Sequence, residues 1–392
     1  MTLQILTTQP NWTTPVLERL EWRTDIIKSR DGTEQRIKLR EHPRHLIEYD
    51  FLVARSEYRA LQVQLLRWQS SRWLIPLWMH TQQITIAAPI NSTRIHMAAT
   101  ATYEYQVGSH LYLSISTTQY EYHPVYAIGP DYIDLAAPTT QAWPIGTSVI
   151  PARYGRIASS VKMQAITGDV GSGNLQINIE NTTSFDTVEN ELVDGLLYFG
   201  LEPNRSDPVD MSWTRNQGIL DYGTGPITTY DLQGYTEITR AYSYLSLNRT
   251  GRNKVRSLLN HCKGMRAPFL LPTFQADIAA VSNQTRLAAD HTLNIESVNY
   301  SNDMFGRVTY PYLRLELWTG PILIKLVKSS IIVDSTTETL SFSTPFGTPF
   351  TSKDIKRISY VNMSRLDSDA VEFSWITPNV VSMAITARGI PE

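Results

Sequence analysis

The chain has 392 residues, enough for two or three domains that each bury a core, with a formal net charge of −2 and a pI near 6.5. That balance excludes the basic field of a dedicated nucleic-acid binder, and a single cysteine, Cys262, excludes an internal disulfide or a cysteine zinc cluster. Charged residues make up 18%, below the roughly 25% of typical soluble domains, while Tyr (20) and Trp (9) are plentiful, a composition suited to surfaces buried against other chains.

MTLQILTTQPNWTTP lacks the basic start and apolar core of a secretory signal, and no apolar run nears the roughly 20 residues that span a bilayer. A soluble product of a reducing compartment is expected. The Asn-x-Ser/Thr triplets at Asn11, Asn91, Asn181 and Asn248 then read as Asn/Thr-rich β composition.

In chain order, residues 1–21 carry polar turns with Pro10 and Pro15 and read as an arm with little core of its own. Asp31-Gly32 signals a hairpin turn, and Ile37 to Val53 carries β-favouring Ile, Tyr and Phe around Pro43. Tyr58, Leu61, Leu65 and Trp68 then form one apolar helical stripe, with Ser56 as N-cap. Trp73 to Trp78 is a short apolar strand that Pro76 assigns to an edge or bulge. Short β runs follow at His110–Ile115, Val125–Leu135 and Trp143–Arg153, with a hairpin at Ser160–Glu180 and a junction at Gly200–Pro208.

The text then repeats. Tyr242, Tyr244 and Leu245 form a strand, Thr250 is a cap, Val255, Leu258, Leu259 and Cys262 give a stripe, and Phe269–Pro272 a strand. Trp22 aligns with Trp213 and Gly32-Thr33 with Gly223-Thr224, both 191 residues apart. Arg59 aligns with Arg252 and Leu65-Leu66 with Leu258-Leu259 at 193, and Pro76 with Pro272 at 196. An offset that only grows is what small insertions between two diverged copies produce, and a period this long means tandem domains. Leu313–Leu317, Ile322–Lys328, Leu340–Phe342 and a β-like tail from Ser352 complete the second half.

The expected fold is therefore mainly β with two short helices. It comprises an arm (1–21), a first β–helix–β unit (22–100), a β domain (101–205), a second unit (206–280) and a C-terminal β domain (281–392). Short strands with turns roughly every 8–12 residues point to a sandwich or barrel for the two β domains.

No phosphate loop, HExxH helix or GxSxG elbow occurs, and no catalytic, cofactor or metal residue is assigned. Gly168 to Gly173 does not open a helix and reads as a hairpin tip. His261 and Cys262 are helix neighbours that point apart, and Cys262 continues the apolar stripe. The histidines (His42, His45, His80, His96, His110, His123, His261, His291) lack metal-helix spacing, leaving open a site assembled from distant strands. Glu189/Glu191 and Asp207/Asp210 are carboxylate pairs of the kind a glycosidase uses, but turn and surface roles are commoner. The cluster Arg249, Arg252, Lys254, Arg256, Lys263, Arg266 reads as the solvated face of the second helix, ahead of a partner-facing patch.

Asp31-Gly32-Thr33-Glu34-Gln35-Arg36, Pro43-Arg44, the β run, the helix from Ser56 to Ser70 and Leu74-Ile75-Pro76-Leu77-Trp78 resemble the opening of tailed-bacteriophage distal tail and related minor tail (baseplate) proteins. The second copy keeps the helix and strand but has Gly225-Pro226-Ile227 where the Glu-Gln-Arg part would be. The resemblance covers about the first 80 residues. It implies belt-like β–helix–β units in a non-enzymatic structural virion protein, forming a ring that joins the tail tube to the baseplate hub and fibres. It also implies assembly in the host cytoplasm and no cofactor. Six chains in two stacked rings is the favoured assembly, because such proteins generally form hexamers. Three chains in one pseudo-sixfold ring is the alternative. A carbohydrate- or receptor-binding β protein is the competing function, motivated by Tyr120, Tyr122 and Trp143.

Overall fold

Polar and apolar residues alternate along the long strands, and the chain folds as a mainly β protein with two long helices. The computed structural model describes residues 4–180, 191–305 and 311–390. In the first half, β1 (Gln4–Ile5) and β2 (Val16–Glu21) precede a hairpin of β3 (Thr24–Lys28) and β4 (Glu34–Lys38). The long β5 (Arg44–Ala54) runs directly into α1 (Arg55–Trp68), and β6 (Trp73–Pro76) follows. Then come β7 (Gln82–Gln83), β8 (Arg94–His96), β9 (His110–Ser114), β10 (Tyr120–Ile128), β11 (Tyr132–Leu135), β12 (Ser148–Ile157) and the hairpin β13 (Lys162–Thr167)/β14 (Val170–Ile179).

After β15 (Leu192–Val193) and β16 (Leu196–Leu197), the second half begins with β17 (Asp210–Thr214) and the hairpin β18 (Gln217–Leu220)/β19 (Thr228–Asp231). β20 (Glu237–Ser246), α2 (Arg249–Cys262) and β21 (Phe269–Pro272) succeed one another. β22 (Thr285–Arg286), β23 (Thr292–Glu296), β24 (Tyr312–Leu317), β25 (Ile322–Ile332), β26 (Thr337–Phe342) and β27 (Phe350–Thr351) lead to β28 (Ile355–Leu366) and the hairpin β29 (Ala370–Thr377)/β30 (Val380–Gly389).

One antiparallel run crosses the molecule in the order β17–β20–β30–β29–β2–β5–β14–β13. The two halves meet where β2 pairs with β29, Leu20 opposite Val371 and Val16 opposite Trp375. β12 extends from the end of β14 to β6 and β9, and β28 extends from the end of β30 to β21 and β24. A single apolar core underlies both halves, including Leu20, Trp22, Tyr49, Phe51, Leu61 and Trp73 with Tyr242, Leu258, Leu259, Phe269, Phe373 and Trp375. Among the described residues, smaller cores lie under β8–β11, centred on Ile95, Leu111 and Ile133, and under β23–β26, centred on Leu293, Leu313 and Leu340, with a third small cluster of Tyr198, Leu270, Tyr312 and Val361.

Several expectations need correcting. Residues 4–21 are not a coreless arm: β1 pairs in parallel with β6, β2 lies mid-sheet, and Leu6, Val16 and Leu20 are buried. The sequence Val16-Leu17-Glu18-Arg19-Leu20-Glu21 does not alternate apolar and polar residues because one inward position is the charged Glu18, so its strand shows only in the burial pattern. Neither proposed cap is the cap. α1 starts after Ala54 because β5 continues into it without a break, which leaves Ser56 inside the first turn. Asn248 caps α2, its side chain accepting from the Gly251 amide at 3.2 Å, and Thr250 is helical. Trp22 is buried whereas Trp213 is 62% exposed. Leu258 is buried and Leu65 only half-buried; aligning the first residues of the two 14-residue helices pairs Leu65 with Leu259 instead.

Candidate functional site

The densest chemistry lies at the joint between the halves. In β2 the inward positions are Val16, Glu18 and Leu20, so the strand's pleat carries a carboxylate into the core. On α2, Arg249, Arg252 and Arg256 recur at i, i+3 and i+7 and form a second stripe beside the apolar one. Both stripes are buried, the apolar one on its own half and the arginine stripe on the first half. The cluster expected to be solvated is thus split: Arg249, Arg252 and Arg256 are interior, while Lys254 and Arg266 are exposed.

Glu18 Oε1 accepts from Arg256 Nη1 at 2.8 Å and lies 3.0 Å from His45 Nε2, while Oε2 accepts from Trp375 Nε1 at 2.9 Å. Glu104, from the turns before β9, is paired through Oε1 with both Arg252 and Arg256. Burial is the largest influence on each carboxyl and pushes its pKa up. The guanidinium groups of Arg256 and Arg252, with His45 beside Glu18 and His80 beside Glu104, outweigh it and hold both well below the usual range. Burial also dominates at His80, lowering its pKa to about 3 with Arg249 and Arg252 adding to the effect, so the ring is neutral. Its Nδ1 accepts from Arg249 Nη1 at 2.7 Å, which assigns the proton to Nε2, 3.4 Å from Glu104 Oε1.

Four guanidinium groups face two carboxylates here, Arg153 being the fourth. The excess charge is met by main-chain oxygens and rings. Arg249 donates to the carbonyls of Met79 and Pro378 and stacks on Tyr103 at 3.8 Å; Arg153 donates to the Glu104 carbonyl. Arg252 lies 5.3 Å from the Trp375 ring centre. Burial lowers Arg249 and Arg153 to about 10, which leaves both charged at neutral pH.

Glu18, His80 and Glu104 bring three potential metal-ligand atoms within 4.8 Å of one another, a site assembled from distant strands. The residues do not fit a metal. Arg256 already pairs with Oε1 of both carboxylates and Arg252 with Oε1 of Glu104, and a divalent cation would add charge beside four guanidinium groups. The cluster works as an ionic lock, joining β2, the 78–80 turn and Glu104 of the first half to α2 and Trp375 of the second.

The other sequence-level sites stay apart. Cys262 is fully buried with its thiol pKa pushed up by burial, and His261 is exposed. Gly168 lies in the turn joining β13 and β14; farther along, the Tyr58 ring lies where a Cβ on Gly171 would sit. Asp207 and Asp210 are exposed, Glu191 is exposed, and Glu189 lies outside the described residues. Trp143 is buried and donates to Glu121 at 3.1 Å, so of the three supposed surface aromatics only Tyr122 is exposed. No protein-family model matches this sequence, and no curated protein matches it.

Proposed function

We propose that this chain is a structural protein of a bacteriophage tail tip, forming a ring that joins the tail tube to the baseplate hub and fibres. It would assemble in the host cytoplasm and reside in the virion. On this reading the chain is a tandem pair of diverged belt-like β–helix–β units, each followed by a sandwich- or barrel-like set of strands.

The observation that carries the reading is the agreement of the two halves strand for strand. β2–β5–α1–β6 matches β17–β20–α2–β21, and hairpins β3/β4 and β18/β19 occupy the same place in each. β5 pairs with β14 and β20 with β30; β12 pairs with β6 and β9, and β28 with β21 and β24. The parallel pairing of β1 on β6 matches a parallel bridge of Tyr198 to Leu270. Both hairpins β13/β14 and β29/β30 bulge by one residue, at Ile166 and Ile376. A buried ionic lock that fastens two units edge to edge suits a load-carrying assembly part better than a reaction site.

Negative-stain imaging of the purified chain, alone and with a tail-tube or hub protein, tests the proposal. Rings are expected. A monodisperse monomer that binds no tail component but binds a glycan on an array would refute it and favour the carbohydrate-binding reading.

A further inference from the structure

The sheet that crosses the molecule ends in two strand edges, and each matches half of the joint at its centre. β2 pairs with both β5 and β29, but among the described residues its counterpart β17 pairs only with β20. β29 pairs with both β30 and β2, but its counterpart β13 pairs only with β14. Unpaired edges of this kind are templates for another strand.

The ladders fix how the ends correspond. Phe373 faces Met383 and Met163 faces Gly173, at the same distance before matching bulges. Met383 faces Tyr244 and Gly173 faces Phe51. Following both strands back, Ile238 corresponds to His45. Leu20 faces His45 and Trp213 faces Ile238, so Trp213 stands in the place of Leu20. Leu20 is covered by Val371 on β29; Trp213 has no strand beyond it and is 62% exposed.

Two more features divide the same way. Hairpin β3/β4 reaches over the second half: Lys28 pairs with Glu237, Glu34 with Arg365 at 2.8 Å, and Tyr235 Oη donates to the Gly32 carbonyl at 3.2 Å. Hairpin β18/β19 extends into solvent and exposes Ile219, Tyr222, Ile227 and Tyr230. α2 is buried on both sides by the joint, whereas α1 leaves Val63 and Leu66 exposed, the latter at 89%.

We propose that a second copy of this chain docks its β13 edge and α1 against the β17 edge and β18/β19 hairpin, repeating the β2–β29 joint between molecules. The transferred register puts Val209 opposite Ala165, Met211 opposite Met163, Ser212 opposite Lys162 and Trp213 opposite Val161 of the next chain. Met211 replaces the buried Glu18, so this joint is apolar where the internal one is ionic. The contact is head-to-tail and closes into a ring when its rotation closes. Each chain supplies two consecutive units in one layer. Resting on the tail-tip reading, a sixfold ring then contains three chains rather than six in two stacked rings.

The test is oxidation of the full-length Ser212→Cys/Lys162→Cys variant, with Ser212→Cys/Thr167→Cys as the register control and wild type, whose Cys262 is buried, as the blank. Non-reducing gels should show covalent dimers and a closed trimer for the first variant only. Trp213→Asp, exposed in the single chain, should leave circular dichroism unchanged and weaken association by about thirtyfold or more. Rings that form without a disulfide in the Ser212→Cys/Lys162→Cys variant and tolerate Trp213→Asp would overturn this joint while leaving the tail-tip reading standing. A wild-type chain that is monomeric at every concentration and in the presence of tail-tube protein would overturn both.

Discussion

Acidification should loosen the joint through His80 before any carboxylate is protonated. The folded-state pKa of His80 is about 3, against an ordinary 6.5. Between those values the unfolded chain binds a proton that the folded chain refuses, so the stability contribution is complete above pH 6.5 and is lost as pH falls. The slope is about 1.4 kcal/mol per pH unit, so moving from pH 7 to 5 removes about 2 kcal/mol. With a urea m-value of at least about 3 kcal/mol/M for a chain this long, the midpoint should fall by up to about 0.7 M. Trp375 lies 5.6 Å from the His80 ring and provides a fluorescence reporter. Burial also lowers the pKa values of His110 and His261, which contribute with the same sign, so the decisive quantity is the difference between wild type and His80→Gln. The variant should lose most of the pH 7-to-5 slope, whatever its absolute stability. Equal slopes in the two proteins would refute the buried neutral imidazole. Below about pH 4.5, Glu18 and Glu104, whose folded pKa values are depressed, should steepen the loss in both proteins.

Glu18→Ala removes one of the two carboxylates paired with Arg256 and leaves the buried Trp375 indole without its acceptor, and should cost about 3–5 kcal/mol in denaturant unfolding; a loss under about 1 kcal/mol would mean the lock is not structural. Leu258→Ala should cost about 2–5 kcal/mol through lost transfer energy and a cavity, whereas Leu66→Ala, on the exposed face of α1, should leave the unfolding midpoint of the isolated chain nearly unchanged. Ring mass by light scattering should be the same in 0.1 M and 1 M salt, although the Debye length falls from about 10 Å to about 3 Å; dissociation at high salt would contradict an apolar contact.

Local patterns carried a good deal of this protein. The stripe Tyr58, Leu61, Leu65, Trp68 and the stripe Val255, Leu258, Leu259, Cys262 marked both helices, because a helix's own 3.6-residue period selects its buried face. Apolar runs and proline placement marked β6 and β21, while the residue pairings of the echo between 22–78 and 213–274 did not transfer: Trp22 is buried and Trp213 exposed. The joint was not legible in that way. Arginines at 249, 252 and 256 look solvated in sequence because arginine usually is. They are interior only because Glu18 and Glu104 arrive from the other half, 238 and 148 residues away by the contacts with Arg256 and Arg252. Trp143, expected at the surface, is buried, and Trp213, aligned in sequence with the buried Trp22, is exposed at the edge strand β17, because exposure depends on which segments pack beyond a side chain. The sequence by itself determined many of the local elements, both helices and the short strands β6 and β21 among them, since these follow from short-range periodicity. Only the folded chain decided which edges meet, because strand pairing satisfies main-chain hydrogen bonds between segments that no local pattern links.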